Sequence, residues 1–106
     1  MVTVELYSVN GSDDLAGFCV SGHTGVRGES IVCAAVSSAC YMAANTITEV
    51  LGVDAQITVN DGYMRVAAVG DDLPKVQIVL RGLRLHLEQL AQQYPDKIKI
   101  TYTEVQ

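Results

Sequence analysis

Two tight turns, each between a pair of short apolar runs, constrain the fold of this chain more than any other feature. Asn60-Asp61-Gly62 lies between residues 55–59 and 63–69, the arrangement typical of a two-strand hairpin. The polar residues 10–14 lie between residues 2–7, which alternate apolar and polar side chains, and residues 17–21. Strands joined by a hairpin are antiparallel. The sequence therefore predicts a sheet that is mixed or wholly antiparallel.

Two longer segments have the composition and apolar spacing of helices. Residues 31–51 are rich in alanine and end before Gly52, so they predict a helix packed closely on the sheet. Residues 73–94 carry a continuous apolar stripe and predict a second helix, with Asp72 as its N-cap and Pro74 in its first turn. Gly82 inside this helix predicts close packing at that point.

The element order is completed by a last alternating run, residues 98–102. The predicted fold is α+β, with the order ββαββαβ, a mixed or antiparallel sheet and two helices packed on it in two or three layers. Residues 1–106 are enough for a single domain with one core. Ile78 and Leu85 fall on the outer side of the second helix. Two interpretations are equally favoured: the residues form a dimer contact, or they are isolated apolar side chains exposed to solvent.

The composition limits the classes of partner. The chain has a formal net charge of −5, and its isoelectric point is about 4.7, whereas nucleic-acid-binding domains are usually basic. We therefore expect no direct nucleic-acid partner, and an acidic surface that suits a basic protein. We find no leader pattern and expect no run of transmembrane length, so the sequence predicts a cytoplasmic protein without a membrane partner. No cofactor is predicted.

The stretch SGHTGVRGESIVCAAVSS, residues 21–38, carries the chemistry. Ser30 is a good N-cap, and it would place Cys33 in the first turn of a helix. The partial positive charge of a helix N-terminus lowers thiol pKa values, and the thiolate is the nucleophilic form. His23 precedes a loop that contains two glycines, and it could return to face the sulfur atom. A thiol, a base and a helix N-terminus together favour covalent acyl chemistry.

Gly22-His23 and the run Ile-Val-Cys-Ala-Ala-Val-Ser of residues 31–37 resemble the signature of the ribosomal-processing cysteine proteases. The resemblance extends over essentially the whole chain in length and element order, and it implies that residues 1–106 form a single cysteine-protease-like domain. It implies a catalytic pair of Cys33, the nucleophile, and His23, the general base, with Gly22, Ser30 and Ser37 supporting the site or binding substrate. It also implies a homodimer whose substrate is large-subunit ribosomal protein number twenty-seven, from which an N-terminal extension is removed.

Two features depart from the family pattern. The family usually has Asp three residues before the cysteine, where this chain has Ser30, and its loop between histidine and cysteine is longer. Serine keeps the capping role and removes a negative charge, so we expect the substitution to preserve the helix start. If the family's Asp instead orients the histidine, the pair of His23 and Cys33 is less well held in this chain. No third catalytic residue can be assigned, because no Asp or Asn has a motif position.

Other interpretations remain open at this stage. A non-catalytic module that binds a ribosomal protein or acts in ribosome assembly is the main alternative, and it predicts that Cys33 is replaceable. A metal site built on His23 is disfavoured, because the chain has no CxxC or HxxxH spacing and structural zinc normally has four ligands. Cys19 and Cys40 are predicted to be packing residues, and His86 a surface residue.

Overall fold

The computed structural model describes residues 1–22 and 31–105, and five strands and two α-helices alternate within these residues in the order ββαββαβ. The strands are β1 (Val2–Val9), β2 (Leu15–Ser21), β3 (Gln56–Asn60), β4 (Tyr63–Ala67) and β5 (Ile98–Val105), and the helices are α1 (Ile31–Asn45) and α2 (Leu73–Gln93). This order confirms the sequence-based prediction.

The five strands form one mixed sheet in the order β3-β4-β2-β1-β5. The pairs β1–β2, β2–β4 and β3–β4 are antiparallel, and β1–β5 is parallel. Both hairpins thus form as predicted, while the parallel pair arises because α2 carries the chain across the sheet from β4 to β5. The pairing of β2 with β4 joins the two hairpins into one sheet.

Both helices pack on the same face of the sheet, so the fold has two layers. The main core joins one side of the strands to one stripe of each helix. Its members include Val4, Leu6, Phe18 and Val66 from the sheet, Val32, Val36, Cys40 and Ala43 from α1, and Val76, Leu80, Leu83 and Leu87 from α2. Burying a side chain as large as leucine stabilises a fold by about 1.5–3 kcal/mol. The period-2 and 3.6-residue patterns of the sequence therefore identify the core correctly.

Gln77 fixes α2 to the sheet through its side-chain amide. The backbone N–H of Leu15 donates to Gln77 Oε1 at 2.9 Å, and Gln77 Nε2 donates to the Leu15 carbonyl oxygen at 2.7 Å. The amide thereby satisfies two backbone groups at the start of β2, which would otherwise be partly buried without partners.

The first helical segment ends differently from its prediction. The α-helix stops at Asn45, and a π-helical turn, Thr46–Val50, carries the chain on to Leu51, whose N–H donates to the Thr46 carbonyl oxygen at 2.8 Å. Thr46 Oγ1 donates to the carbonyl oxygen of Met42 at 2.7 Å, and such side-chain bonds compete with regular helical pairing. Gly52, with φ +67°, ends the segment as predicted.

Two details of the second helix also differ. Asp72 precedes α2, but its side chain makes no capping hydrogen bond and instead accepts one from Lys75 Nζ at 3.0 Å. Gly82 was predicted to allow close packing, and this prediction is wrong: a Cβ atom built there meets nothing within 4 Å. The residue lies on the outer face of α2, where the described residues place no neighbour.

The helical stretch Ile31–Val50 is long and apolar enough to cross a membrane by composition, with a mean hydropathy of 1.4, contrary to the sequence-based expectation. Core packing explains its apolar character in this fold, because Val32, Val36, Cys40 and Ala43 lie in the core against the sheet. Core helices commonly have this composition, so the stretch is weak evidence for a membrane span.

Candidate active site

Cys33 lies in the first turn of α1, two residues after the helix begins at Ile31. Its side chain is half-buried and packs against the main core. The first turn of α1 carries no acidic side chain, so no carboxylate there opposes the partial positive charge of the helix start. A partly exposed sulfur atom at such a position can be reached by a substrate.

Two of the predicted site residues, His23 and Ser30, lie outside the described residues. The pairing of His23 with Cys33 and the capping role of Ser30 therefore stay predictions. The described residues that flank the intervening segment are Gly22, which follows β2, and Ile31, the first residue of α1.

Gly22 has a clear backbone reason to be glycine. Its φ is +85°, in the left-handed region that disfavours other residues. A Cβ atom at this position would also lie 2.6 Å from the carbonyl oxygen of Met1. Because that oxygen belongs to the backbone, the clash could be relieved only by a shift of the chain. Gly22 therefore sets the direction in which the chain leaves β2 toward residue 23.

Ser37 lies one helical turn after Cys33 on the same side of α1 and is also half-buried. Tyr41 continues this side by one further turn and is 49% exposed. The side of α1 that carries Cys33 thus runs outward from the core into solvent. The spacing of these residues is visible in the sequence, whereas the exposure of Tyr41 depends on what packs beside it.

The three cysteines form no disulfide and differ strongly in environment. Cys40 is fully buried, and burial raises the pKa of its thiol to about 12. Cys19 is 9% exposed and packs with Tyr7 and Ala16 on the side of the sheet away from the helices. Both residues are packing residues, as predicted, which leaves Cys33 as the most accessible of the three thiols.

The second hairpin lies at the same end of the sheet as the proposed nucleophile. Ser21 at the end of β2 pairs with Tyr63, which also pairs with Asn60 across the turn. The turn that contains Asp61 therefore stands beside Gly22, and β3, at the sheet edge, finishes at this end. Sequence reasoning identified this hairpin but gave its residues no part in the site.

Among residues 1–22 and 31–105, no group of three or more His, Cys, Asp or Glu side chains could hold a metal ion. His86 is exposed on α2, as predicted, and it lies on the helix that does not carry Cys33.

Similarity to known proteins agrees with this arrangement. The family model described as cysteine protease Prp matches residues 1–99 of the chain. No curated protein matches it.

Solved structures share the fold over nearly the whole chain. One is the ribosomal processing protease Prp of Staphylococcus aureus with a covalently linked product peptide, at a TM-score of 0.86 and 24% identity, covering 97% of this chain and 100% of that one. The same protease with a substrate peptide gives a TM-score of 0.84 and 23% identity at the same coverage. A protein of Streptococcus mutans gives 0.79 and 24% identity, covering 99% of this chain and 96% of that one.

The family model covers the strand before Gly22, the helix start with Cys33 and both hairpins, so the match includes every described part of the candidate site. The chain belongs to the family of the cysteine protease Prp and is a cysteine protease.

Proposed function

We propose that this protein is a ribosomal-processing endopeptidase that removes the N-terminal extension of large-subunit ribosomal protein number twenty-seven. The observation that carries the proposal is a half-buried cysteine in the first turn of α1, in a chain that matches the family over residues 1–99. The Staphylococcus aureus structures, described as an essential ribosomal processing protease, support the class of substrate.

In the proposed reaction, His23 takes the proton of the Cys33 thiol and the sulfur attacks the carbonyl carbon of the scissile peptide bond. The negative charge that develops on the carbonyl oxygen is stabilised by backbone N–H groups of the first turn of α1. As the carbon–nitrogen bond breaks, His23 gives its proton to the leaving amine and a thioester remains on Cys33. Water, deprotonated by His23, then hydrolyses the thioester and releases the free carboxylate and the thiol.

Gly22, Ser30 and Ser37 have supporting roles in this proposal. Gly22 directs the chain out of β2 into the residue that carries the base, and Ser30 caps the helix that carries the nucleophile. Ser37 supports Cys33 from the next helical turn.

The charge of the protein suits this substrate. The net charge of −5 favours association with a basic protein, and ribosomal proteins are typically basic. Because the proposed substrate is a ribosomal protein, we place the activity in the cytoplasm.

We further propose that the protein acts as a homodimer, since Ile78 and Leu85 on α2 are 90% and 57% exposed.

A cleavage assay tests the proposal. The cognate ribosomal protein with its N-terminal extension is incubated with the native chain and with Cys33→Ala, and the products are identified by intact mass. We expect one cut with the native chain and none with Cys33→Ala, because the nucleophile is lost. His23→Ala should reduce the rate by a factor of about 10² or more, the usual contribution of a general base.

Cys40→Ala is the matched control, since it removes a thiol from the same helix but not from the site. Binding of the substrate without cleavage by the native chain would favour the alternative, a non-catalytic ribosomal-protein-binding or assembly module. Equal cleavage by the native chain and Cys33→Ala would rule out Cys33 as the nucleophile.

A further inference from the structure

Strand β3 has an apolar side that the fold leaves uncovered. Ile57 pairs with Val66 and Val59 pairs with Met64, so both side chains lie on the helix side of the sheet. Their partners on β4 are 1% and 4% exposed, whereas Ile57 and Val59 are 41% and 49% exposed. The helix layer therefore covers β4 and stops before it reaches the edge strand.

The side of α1 nearest this uncovered strand is the one that carries Cys33. Strands β2 and β3 are parallel, because each is antiparallel to β4, and α1 connects them. Such crossovers are almost always right-handed. With that hand, and with Val36 and Cys40 facing the sheet, the side of α1 that bears Cys33, Ser37 and Tyr41 faces β3, and the opposite side faces α2.

This topology sets the two surfaces side by side, and we call the space between them the α1–β3 groove. Its wall is Cys33, Ser37 and Tyr41, and its floor is Ile57 and Val59. Cys33 lies at the end where β3 finishes, and Tyr41 lies roughly 12 Å away along the helix axis, at 1.5 Å per residue. That length matches about four residues of extended chain at about 3.3 Å each.

The residues that build the groove have one sign of charge. Residues 31–61 contain three acidic side chains, Glu49, Asp54 and Asp61, and no lysine or arginine. Glu49 and Asp54 are exposed near the far end of the groove, and Asp61 is exposed in the turn at the Cys33 end. An apolar floor with Glu49 and Asp54 beside its far end favours a chain segment in which basic side chains adjoin apolar ones.

We propose that the α1–β3 groove binds the peptide substrate on one side of the scissile bond, as an extended segment of about four residues with apolar side chains on Ile57 and Val59 and basic residues beside them. This inference rests on the proposed function, since it uses Cys33 as the point of cleavage. A peptide is favoured over a second copy of the chain because the groove begins at the nucleophile and the chain itself is acidic.

The test compares Ile57→Ser/Val59→Ser with Ile78→Ser/Leu85→Ser, a matched pair of exposed apolar residues on the outer face of α2. Each pair is built into Cys33→Ala, and binding of a fluorescein-labelled peptide that spans the extension and the start of the mature protein is measured by anisotropy. We expect the groove pair to weaken binding about tenfold, equivalent to about 1.4 kcal/mol. The α2 pair should leave binding unchanged, because the outer face of α2 forms no part of the groove whether or not it forms the dimer contact.

Cleavage by the same pairs with Cys33 intact separates this inference from the proposed function. Weaker peptide binding by the groove pair supports the groove even when no variant cleaves, whereas absence of cleavage by the native chain counts against the protease. Equal peptide affinity in the groove and α2 pairs would overturn the groove. A groove pair that changes the sedimentation coefficient would identify a second copy as its occupant and overturn it as well.

A charge reversal checks the occupant further. Glu49→Lys/Asp54→Lys should weaken binding of the native peptide, and a peptide with its basic residues replaced by glutamine should bind both proteins equally. Equal loss for both peptides would overturn the basic character of the bound segment. The rate of Cys33 alkylation by iodoacetamide, measured in the Cys33-containing versions, should be the same in all variants, because none alters the thiol.

Discussion

At the scale of single residues, the environment of each cysteine determines what it can do. Cys33 and Cys40 lie on the same helix seven residues apart, yet one is half-buried at the helix start and the other is fully enclosed. Enclosure disfavours the thiolate, which is why burial raises the pKa of Cys40 to about 12. A family signature identifies the first cysteine, and the helical periodicity of the sequence identifies the second as core.

The buried Cys40 thiol should make the protein less stable at alkaline pH. Its pKa rises from the ordinary value of 9.0 to about 12 in the folded chain, so above pH 9 the unfolded chain releases a proton that the folded chain retains. The free energy of unfolding should therefore fall above pH 9, by up to about 1.4 kcal/mol per pH unit from this group.

Urea unfolding of the native chain and of Cys40→Ala between pH 7 and pH 10.5, under reducing conditions, measures this contribution. Cys40→Ala should lower stability at pH 7 because it leaves a small cavity, but its loss of stability above pH 9 should be smaller than that of the native chain. Parallel curves for the two proteins would show that Cys40 does not cause the alkaline loss. Every other ionisable group is the same in both proteins, so its contribution cancels in the difference.

At the scale of elements, the two helices resemble each other in sequence pattern and differ in what surrounds them. Helix α1 faces the sheet with small side chains, and α2 does so with a stripe of leucine and valine. The amide of Gln77 holds the start of β2, an interaction between residues 62 positions apart that no local pattern predicts. The periodicity of the sequence predicts which side of each helix is buried. Which elements lie beside that helix depends on the order of the strands in the sheet.

Helix α2 carries a glycine that the packing does not need. A Cβ atom at Gly82 meets nothing within 4 Å, and the residue has no positive φ. Alanine loses less backbone entropy than glycine on folding, so Gly82→Ala should raise the free energy of unfolding by about 0.5–1 kcal/mol.

Thermal or urea unfolding of the isolated protein measures this gain. Gly22→Ala is the matched control, because its φ of +85° and its contact with Met1 should make the same change destabilising. A loss of stability in Gly82→Ala at low protein concentration would indicate that another part of the chain approaches this position.

At the scale of the whole molecule, a single helix layer leaves the outer face of α2 and the edge strand β3 open. The outer face of α2 combines exposed Ile78 and Leu85 with the open position at Gly82. If the proposed homodimer uses this face, Ile78→Glu/Leu85→Glu should shift the protein to a monomer in sedimentation velocity, because charges would be buried without partners.

Ile57→Glu/Val59→Glu is the control for that experiment, since it places the same charges on the other open apolar surface. A monomeric native protein would contradict the homodimer. Loss of the dimer only in the β3 variant would move the interface to the edge strand.

Much of the fold follows from the sequence itself. The alternation of Val2, Val4 and Leu6, the turn at Asn60–Gly62 and the stripe of α2 each depend on neighbours a few residues apart, so local physics determines them. The position of Cys33 at the start of a helix is also determined by residues close to it in the sequence. Gly82 shows the limit, because a glycine in a helix indicates close packing only when another element lies beside it.

Only the tertiary structure decided what lies around Cys33. The sheet order places β3 at the edge beyond β4, and the helix layer does not extend over it, so Ile57 and Val59 remain exposed on the same side of the sheet as α1, the helix that carries the proposed nucleophile. Alternation in the sequence gives these two residues the same pattern as the buried strands. Burial depends on which element covers a strand, and that is settled by contacts between residues far apart in the chain.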